Sequence, residues 1–132
     1  ARAIVIERDK CLLESTTQLS GVIEQVVPRR GARIHPATRT FMALRIAVND
    51  EVGALRRGLP IMVDLLRSGG KLVTITFHGV EVRIIKEFGD AAAKCDTPSL
   101  RWFQRKSLKA KAEELMSNPR ARSAQLRVME KI

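Results

Sequence analysis

Residues 33–67 read RIHPATRTFMALRIAVNDEVGALRRGLPIMVDLLR, a long stretch in which apolar residues recur at intervals of three and four. This spacing lines up side chains along one face of an α-helix. The apolar positions are Phe41, Leu44, Val48, Val52, Leu55, Leu59, Met62 and Leu66. Pro60 lies inside the stretch, and a proline within a helix costs about 3 kcal/mol because it removes a hydrogen bond. We therefore predict two helices that share an apolar face, with a kink or break near Arg57 and Gly58.

The segments on either side of this stretch predict further elements. Residues 71–77, KLVTITF, are nearly continuous in apolarity, which is typical of a parallel strand that is covered on both faces. Ser15, Thr16 and Thr17 offer N-cap hydroxyls for a helix that Pro28 ends, and Gly69 and Gly70 are placed to end the central helix. The other predictions are a helix over 1–13, a basic loop over 29–33, a helix over 80–88 ended by Gly89, a loop over 91–98, an edge strand over 100–107, a helix over 108–116 and a strand over 124–129.

The charge of the chain points to a polyanionic partner. Lys and Arg number 24 and Asp and Glu 14, a formal net charge of +10. Such a surplus favours nucleic acid, because each phosphate that is neutralised releases counterions; the alternative is an ordinary soluble basic surface. Cys11 and Cys95 have no nearby Cys or His, so we predict no zinc or other metal site. No apolar run approaches the roughly 20 residues that span a bilayer, so no membrane partner is predicted.

Several motifs, in order, resemble the MraW/RsmH family of small-subunit rRNA methyltransferases. The central stretch contains HPATRTF, then ALRI and VN, and Phe77-His78 follows with Glu81, Arg83 and Lys86. The matching stretches nearer the two ends are Ala1-Arg2-Ala3-Ile4-Val5 with Arg8, and Asn118-Pro119-Arg120-Ala121-Arg122-Ser123 with Leu126-Arg127. Together these matches cover nearly the whole chain.

The resemblance implies a fold and a reaction. The fold class is α/β: the C-terminal half of a class I (Rossmann-like) S-adenosylmethionine-dependent methyltransferase sheet, plus the end of a helical insertion. Residues 1–34 would end the insertion and 35–132 would form the C-terminal half of the methyltransferase domain. The reaction is methylation of a cytidine N4 amine in small-subunit rRNA, during ribosome biogenesis. A half-sheet of about three strands would expose an edge, so it is expected to need its missing half or a large partner.

The cofactor-binding half is not recognisable in this sequence. Gly69-Gly70 is the only glycine pair and follows a helix, whereas a cofactor loop follows a strand and opens a helix. S-adenosylmethionine is therefore implied by the resemblance alone, and its loop and the catalytic residues are expected upstream. His78 and Asn49 are the candidates for the nearby cleft, although a lone His such as His78 also serves as a structural hydrogen bonder.

Basic and polar residues are predicted to contact RNA or substrate. Arg101, Arg105 and Lys106 lie beside Trp102 and Phe103, a combination that suits unpaired RNA; the alternative puts both aromatics in the core. Arg120 and Arg122 are predicted to meet phosphates, or else to brace the sheet through backbone carbonyls. The full predicted set is His35, Thr38, Arg39, Arg45, Arg83, Arg101, Arg105, Lys106, Arg120 and Arg122.

One departure from the family pattern leaves the function open. After the His, family members usually carry Ser-Leu-Glu-Asp-Arg, whereas this chain has Gly79-Val80-Glu81-Val82-Arg83. A hydroxyl and a carboxylate are absent, so the alternative function is a catalytically inactive assembly factor of the mitochondrial ribosomal small subunit. The predicted partners are small-subunit rRNA and a small-subunit assembly intermediate, with no DNA, since the strands argue against a helix-turn-helix module. The predicted compartment is the mitochondrial matrix, with the bacterial cytoplasm as alternative.

Overall fold

The computed structural model describes residues 1–28, 31 and 34–132. These form two compact units, residues 1–49 and residues 50–132. The predicted basic loop over 29–33 lies outside the described residues except for Gly31. The predicted division at residues 34 and 35 concerns the parts of a whole enzyme, and it stays a prediction.

The first unit contains three helices: α1 (Arg2–Lys10), α2 (Thr16–Val26) and α3 (Thr38–Val48). Of the three hydroxyl residues predicted as possible caps of α2, Ser15 is the one that caps it. Its hydroxyl accepts from the Gln18 N–H at 3.2 Å, and the Gln18 side chain accepts from the Ser15 N–H at 3.0 Å. This reciprocal capping box satisfies two N–H groups that a helix start leaves unpaired. Val22, Ile23 and Ala37 are the buried apolar residues of this unit.

The second unit begins with α4 (Glu51–Asp64), and the break in the central stretch falls before it, at Asn49 and Asp50. The predicted break near Arg57 and Gly58 is therefore wrong. Asp50 adopts a left-handed conformation with φ 48°, which ends one helix before the next starts. The Arg57 guanidinium donates a hydrogen bond of 2.7 Å to the Asp50 carboxylate and lowers the pKa of that carboxyl group.

Helix α4 continues through Pro60 because the proline lies on the solvent-exposed face of the helix. Pro60 is exposed, whereas Leu59 and Val63 are buried. The carbonyl that loses its intrahelical partner therefore faces water, which can hydrogen-bond to it. The helix ends at Asp64, before the predicted glycine stop, and Gly69, with φ 77°, forms the turn into the next strand. The predicted apolar stripe is also not uniformly buried, since Val48 is 82% exposed.

A three-stranded sheet organises the second unit. Its strands are β1 (Lys71–Thr76), β2 (Leu100–Leu108) and β3 (Gln125–Lys131), in the spatial order β1-β3-β2. Strand β3 is antiparallel to both neighbours, so β1 and β2 run parallel to each other but do not pair. The prediction of a parallel strand covered on both faces is thus wrong in its pairing and burial: Val73 and Ile75 are 54% and 58% exposed.

Helix α5 (Gly79–Lys94) connects β1 to β2 and covers the inner face of the sheet. The prediction that Gly89 ends this helix is wrong, because the helix runs on to Lys94, and the loop predicted over 91–98 is confirmed only for residues 95–98. Gly89 instead permits a close approach. A Cβ atom there would lie 2.7 Å from Met129 Sδ and closer still to Trp102 Cζ2. A glycine is therefore needed at this position for close packing and not to end the helix.

The rest of the chain is α6 (Ala112–Ser117) and a 3₁₀ turn (Pro119–Ser123), which lead from β2 into β3. Lys131 at the end of β3 donates to the carbonyls of Val63 and Asp64, at 2.9 and 3.3 Å, and so satisfies the end of α4. The core of the unit consists of Leu59, Val63, Leu72, Ile84, Ile85, Leu100 and Met129. Each contributes about 1.5–3 kcal/mol by burial. This architecture agrees with the predicted α/β class.

Candidate nucleic-acid interface

One edge of the sheet brings together segments that are far apart in sequence. Thr76 at the end of β1 pairs with Gln125 at the start of β3, and Leu108 at the end of β2 pairs with Leu126. The residues after β1, after β2 and before β3 therefore lie at the same edge of the sheet, namely the edge formed by the ends of the strands and not by an outer strand. In open α/β sheets this is the edge, beyond the carboxyl ends of the parallel strands, where ligands bind.

Four basic residues that we call the edge basic cluster lie on the segments leaving β2 and entering β3. They are Lys109 and Lys111, after β2, and Arg120 and Arg122, on the 3₁₀ turn. All four are exposed, and none forms an ion pair with any described residue. Arg120 and Arg122 were predicted as contacts, whereas Lys109 and Lys111 were not, although both belong to the basic run after Arg101. What the sequence did not reveal is that the chain returns through α6 and places the two pairs at one edge.

Three other predicted contacts are held in ion pairs. Arg101 lies 2.8 Å from Glu130, Arg105 lies 3.9 Å from Asp90, and Arg83 lies 3.8 Å from Glu87 on the next turn of α5. Exposed pairs of this kind contribute only about 0–1 kcal/mol, but each carboxylate offsets the charge offered to a phosphate. Lys106 is exposed and has no ion pair among the described residues. The structure therefore divides the predicted basic set into paired and unpaired members.

The two aromatic residues beside these charges have different environments. Trp102 packs against the core, and its indole N–H donates to Asp90 at 2.9 Å. Phe103 is 59% exposed, and the Lys71 ammonium lies 4.5 Å from its ring centroid. The core alternative is thus correct for Trp102 only. The two residues are consecutive in β2, and successive side chains of a strand point to opposite faces of the sheet.

His78 caps α5 together with Glu81. The Glu81 carboxylate accepts from the N–H groups of Phe77 and His78 at 2.8 and 3.2 Å, and the Glu81 N–H donates to His78 Nδ1 at 3.5 Å. His78 Nε2 lies 3.1 Å from Glu81 Oε1, but this buried nitrogen has no hydrogen-bond partner among the described residues. His78 therefore has a structural role at the sheet edge. Its predicted place in a cleft stays a prediction.

The remaining candidates belong to the first unit. His35 Nε2 lies 2.6 Å from Glu24, and its Nδ1 accepts from the Ala37 N–H at 3.2 Å, which fixes the start of α3. The other members are exposed and lie along α3 or at its end: Thr38, Arg39, Arg45 and Asn49. Since His35 and His78 belong to different units, the predicted common cleft stays a prediction.

The strand-to-helix junction after β1 is one place where a helix N-terminus could face an anionic ligand group. The N–H groups of Phe77 and His78 at this junction already donate to the Glu81 carboxylate, so these two donors are not available to such a ligand. Across residues 1–28 and 34–132, no three His, Cys, Asp or Glu side chains are placed to hold a metal ion. Over the same ranges, no helix has the length and apolarity needed to cross a bilayer.

Known proteins match the chain along its whole length. The model of the MraW methylase family matches residues 1–132. The ribosomal RNA small subunit methyltransferase H of Thermomicrobium roseum is 46% identical over 145 residues, which cover 100% of this chain and 44% of that relative. The enzyme of the same name from Wolbachia pipientis subsp. Culex pipiens is 43% identical over 133 residues, covering 100% and 45%. The chain thus spans less than half the length of these relatives. It belongs to the MraW methylase family.

Proposed function

We propose that this chain is the C-terminal portion of an S-adenosylmethionine-dependent methyltransferase that acts on small-subunit rRNA, at a cytidine N4 amine, during ribosome biogenesis. The observation that carries the proposal is the family match over all 132 residues, with relatives named ribosomal RNA small subunit methyltransferase H. On this proposal the cofactor is bound by a further portion of the enzyme, as the resemblance to the family implies.

The edge basic cluster supports an RNA substrate. Four unpaired cations at one sheet edge can each neutralise a phosphate, and the two arginines can do so bidentately. The cluster lies beside the carboxyl end of β1, where a strand of RNA would pass close to a cofactor bound in the rest of the sheet. The role of the chain would be to hold and orient the RNA.

Salt dependence tests this role in the full-length protein. Four phosphate contacts to a single strand give a slope of log K against log salt of about −3, since each contributes about −0.7. Replacing Lys109, Lys111, Arg120 and Arg122 by alanine should reduce the magnitude of the measured slope by about 3. The matched control replaces Arg83, Arg101 and Arg105, which are ion-paired, and should change the slope much less. An unchanged slope in the first variant would contradict the assignment.

A catalytically inactive assembly factor is the second candidate, favoured by Gly79 and Val82 where the family pattern has a hydroxyl and a carboxylate. The deciding measurement is transfer of a labelled methyl group from S-adenosylmethionine to small-subunit rRNA by the full-length protein. The wild type is expected to methylate, and restoring the pattern with Gly79→Ser and Val82→Asp to raise the rate. RNA binding without any transfer, in both proteins, would establish the inactive factor instead.

The compartment and the wider partners are further parts of the proposal. We propose the mitochondrial matrix, with the bacterial cytoplasm as alternative, and a small-subunit assembly intermediate as the physiological form of the substrate. Fractionation of the source cells, followed by detection of the protein on immature small subunits, tests both. Recovery on mature subunits only would contradict the assembly step.

A further inference from the structure

Polar residues extend the inner face of the sheet from the core to the edge basic cluster. In the register of β1 and β3, Thr74 pairs with Arg127 and Thr76 pairs with Gln125. Alternate residues of a strand share a face, so these four side chains lie on the same face as Leu72 of the core. Thr76 and Arg127 are only 3% and 7% exposed, and Gln125 is half-buried. The residues nearest the strand ends are therefore polar on the side of the sheet that α5 covers.

Arg127 fixes the orientation of the Gln125 side chain. Its Nη2 donates to Gln125 Oε1 at 3.2 Å, while its Nε and Nη1 have no hydrogen-bond partner among the described residues. A guanidinium can only donate, so the amide oxygen of Gln125 is the atom that faces it and the amide NH₂ is left for another acceptor. The backbone of Gln125 is fixed as well, because the Thr76 hydroxyl donates to its carbonyl at 3.2 Å.

We propose that Gln125 donates a hydrogen bond from this NH₂ group to a ribose 2′-hydroxyl or phosphate oxygen of the RNA strand held by the edge basic cluster, and that Arg127 positions it. Gln125 is the first residue of β3, directly after the turn that carries Arg120 and Arg122, and it pairs with the last residue of β1. It therefore lies where the RNA backbone would pass. The proposal rests on the proposed function, because it assumes an RNA partner.

The cost of burying Arg127 supports a positioning role. An unpaired buried cation destabilises a fold, and an apolar side chain of similar size would fill the same space without that cost. The hydrogen bond to Gln125 is the one that the Arg127 side chain forms among the described residues. Residues that lower stability in this way are typical of functional sites, where they hold a neighbour that acts on the ligand.

Salt dependence distinguishes this neutral contact from the contacts of the edge basic cluster. Each phosphate neutralised by a cation contributes about −0.7 to the slope of log K against log salt, whereas a neutral amide releases no counterion. In the full-length protein, Gln125→Ala should weaken binding of a 12-nucleotide oligouridylate by about two- to ten-fold, the contribution of one hydrogen bond. The slope should stay unchanged. The same oligonucleotide with deoxyribose identifies the acceptor: a loss confined to RNA indicates the 2′-hydroxyl, and an equal loss on both indicates a phosphate.

Arg127→Met tests the positioning role without weakening the fold. It should raise the melting temperature, and yet lower the affinity for the oligouridylate by about as much as Gln125→Ala, with little change in slope. The double variant should bind no more weakly than Gln125→Ala alone, because both changes remove the same hydrogen bond to RNA. Additive losses, or a slope that falls by about 0.7 in Arg127→Met, would overturn the positioning role, because Arg127 would then contact RNA independently.

Gln104→Ala is the matched control for Gln125→Ala. Gln104 is also a half-buried glutamine of the sheet, but it lies within β2, opposite Val128, and not at a strand end. Its replacement should leave the affinity unchanged, and an equal loss in both variants would overturn the assignment to Gln125. Unchanged affinity in Gln125→Ala would also overturn it and leave the edge basic cluster standing. If the wild type neither bound the oligouridylate nor methylated rRNA, the proposed function would fail, and this proposal with it.

Discussion

Gly89 shows how one missing side chain permits a tightly packed core. It lies in the middle of α5, where a Cβ would overlap Trp102 and approach Met129 Sδ to 2.7 Å. Met129 is fully buried, so it has little room to move. We expect Gly89→Ala to destabilise the protein by about 1–3 kcal/mol through overpacking, although alanine is the better helix former.

Gly21 supplies the control for this prediction. It lies inside α2, and a Cβ there would meet nothing within 4 Å. Gly21→Ala should therefore raise the free energy of unfolding by about 0.5–1 kcal/mol. Urea denaturation of the two variants measures both values. If Gly89→Ala stabilised the protein as much as Gly21→Ala does, the close contact of α5 with the sheet would be refuted.

Arg127 is the buried charge of the second unit. The residue is only 7% exposed, and its Nε and Nη1 have no hydrogen-bond partner among the described residues, while Nη2 donates to Gln125 at 3.2 Å. An unpaired buried cation carries a desolvation cost of several kcal/mol. We expect Arg127→Met to stabilise the fold by about 1–4 kcal/mol in thermal denaturation, and the exposed control Arg122→Met to stay within about 0.5 kcal/mol. Destabilisation by Arg127→Met would contradict the desolvation cost assigned to this guanidinium.

At the scale of elements, the start of α5 depends on Glu81. Its carboxylate accepts from two backbone N–H groups that would otherwise be unpaired. Glu81→Ala should lower the free energy of unfolding by about 1 kcal/mol, whereas Glu81→Gln, which keeps an acceptor oxygen, should lower it less. Chemical denaturation of both variants tests this. Equal decreases would mean that the negative charge near the helix N-terminus, and not the hydrogen bonds, supplies the stabilisation.

The sequence predicted these elements where a local cause decides them. The capping segment at Ser15–Thr17, the positions of the three strands and the edge position of β2 follow from side-chain chemistry and alternation, and the structure agrees. The parallel pairing predicted for β1 is wrong, because β3 returns antiparallel between β1 and β2. The predictions at Pro60 and Gly89 were wrong for different reasons. Pro60 does not break α4 because it faces solvent. Gly89 does not end α5 because the glycine is needed for close packing against Trp102 and Met129. Lys109 and Lys111 were missed as site residues because their neighbours, Arg120 and Arg122, are brought close only by the fold.

At the scale of the whole molecule, the sheet is open on one side. Among residues 50–132, β1 pairs with β3 alone, so its other edge presents unpaired N–H and C=O groups. The outer face above it is apolar and exposed at Val73, Ile75 and Phe103. Such an edge and face are a template for further pairing, and the relatives are more than twice as long as the part that matches this chain. We expect a further portion of the full-length protein to pair with β1 and continue the sheet.

Hydrogen exchange tests this continuation strand by strand. In the 132-residue chain alone, β1 amides that point away from β3 should exchange rapidly, while β3, which is paired on both sides, should be protected. In a protein of the length of the relatives, the protection of β1 should rise towards that of β3, because a new strand accepts its N–H groups and apolar side chains cover Val73 and Ile75. β3 serves as the internal control, since its pairing is complete in both proteins. Rapid exchange of the same β1 amides in the longer protein would place the additional residues elsewhere, and β1 would then be a true edge of the sheet.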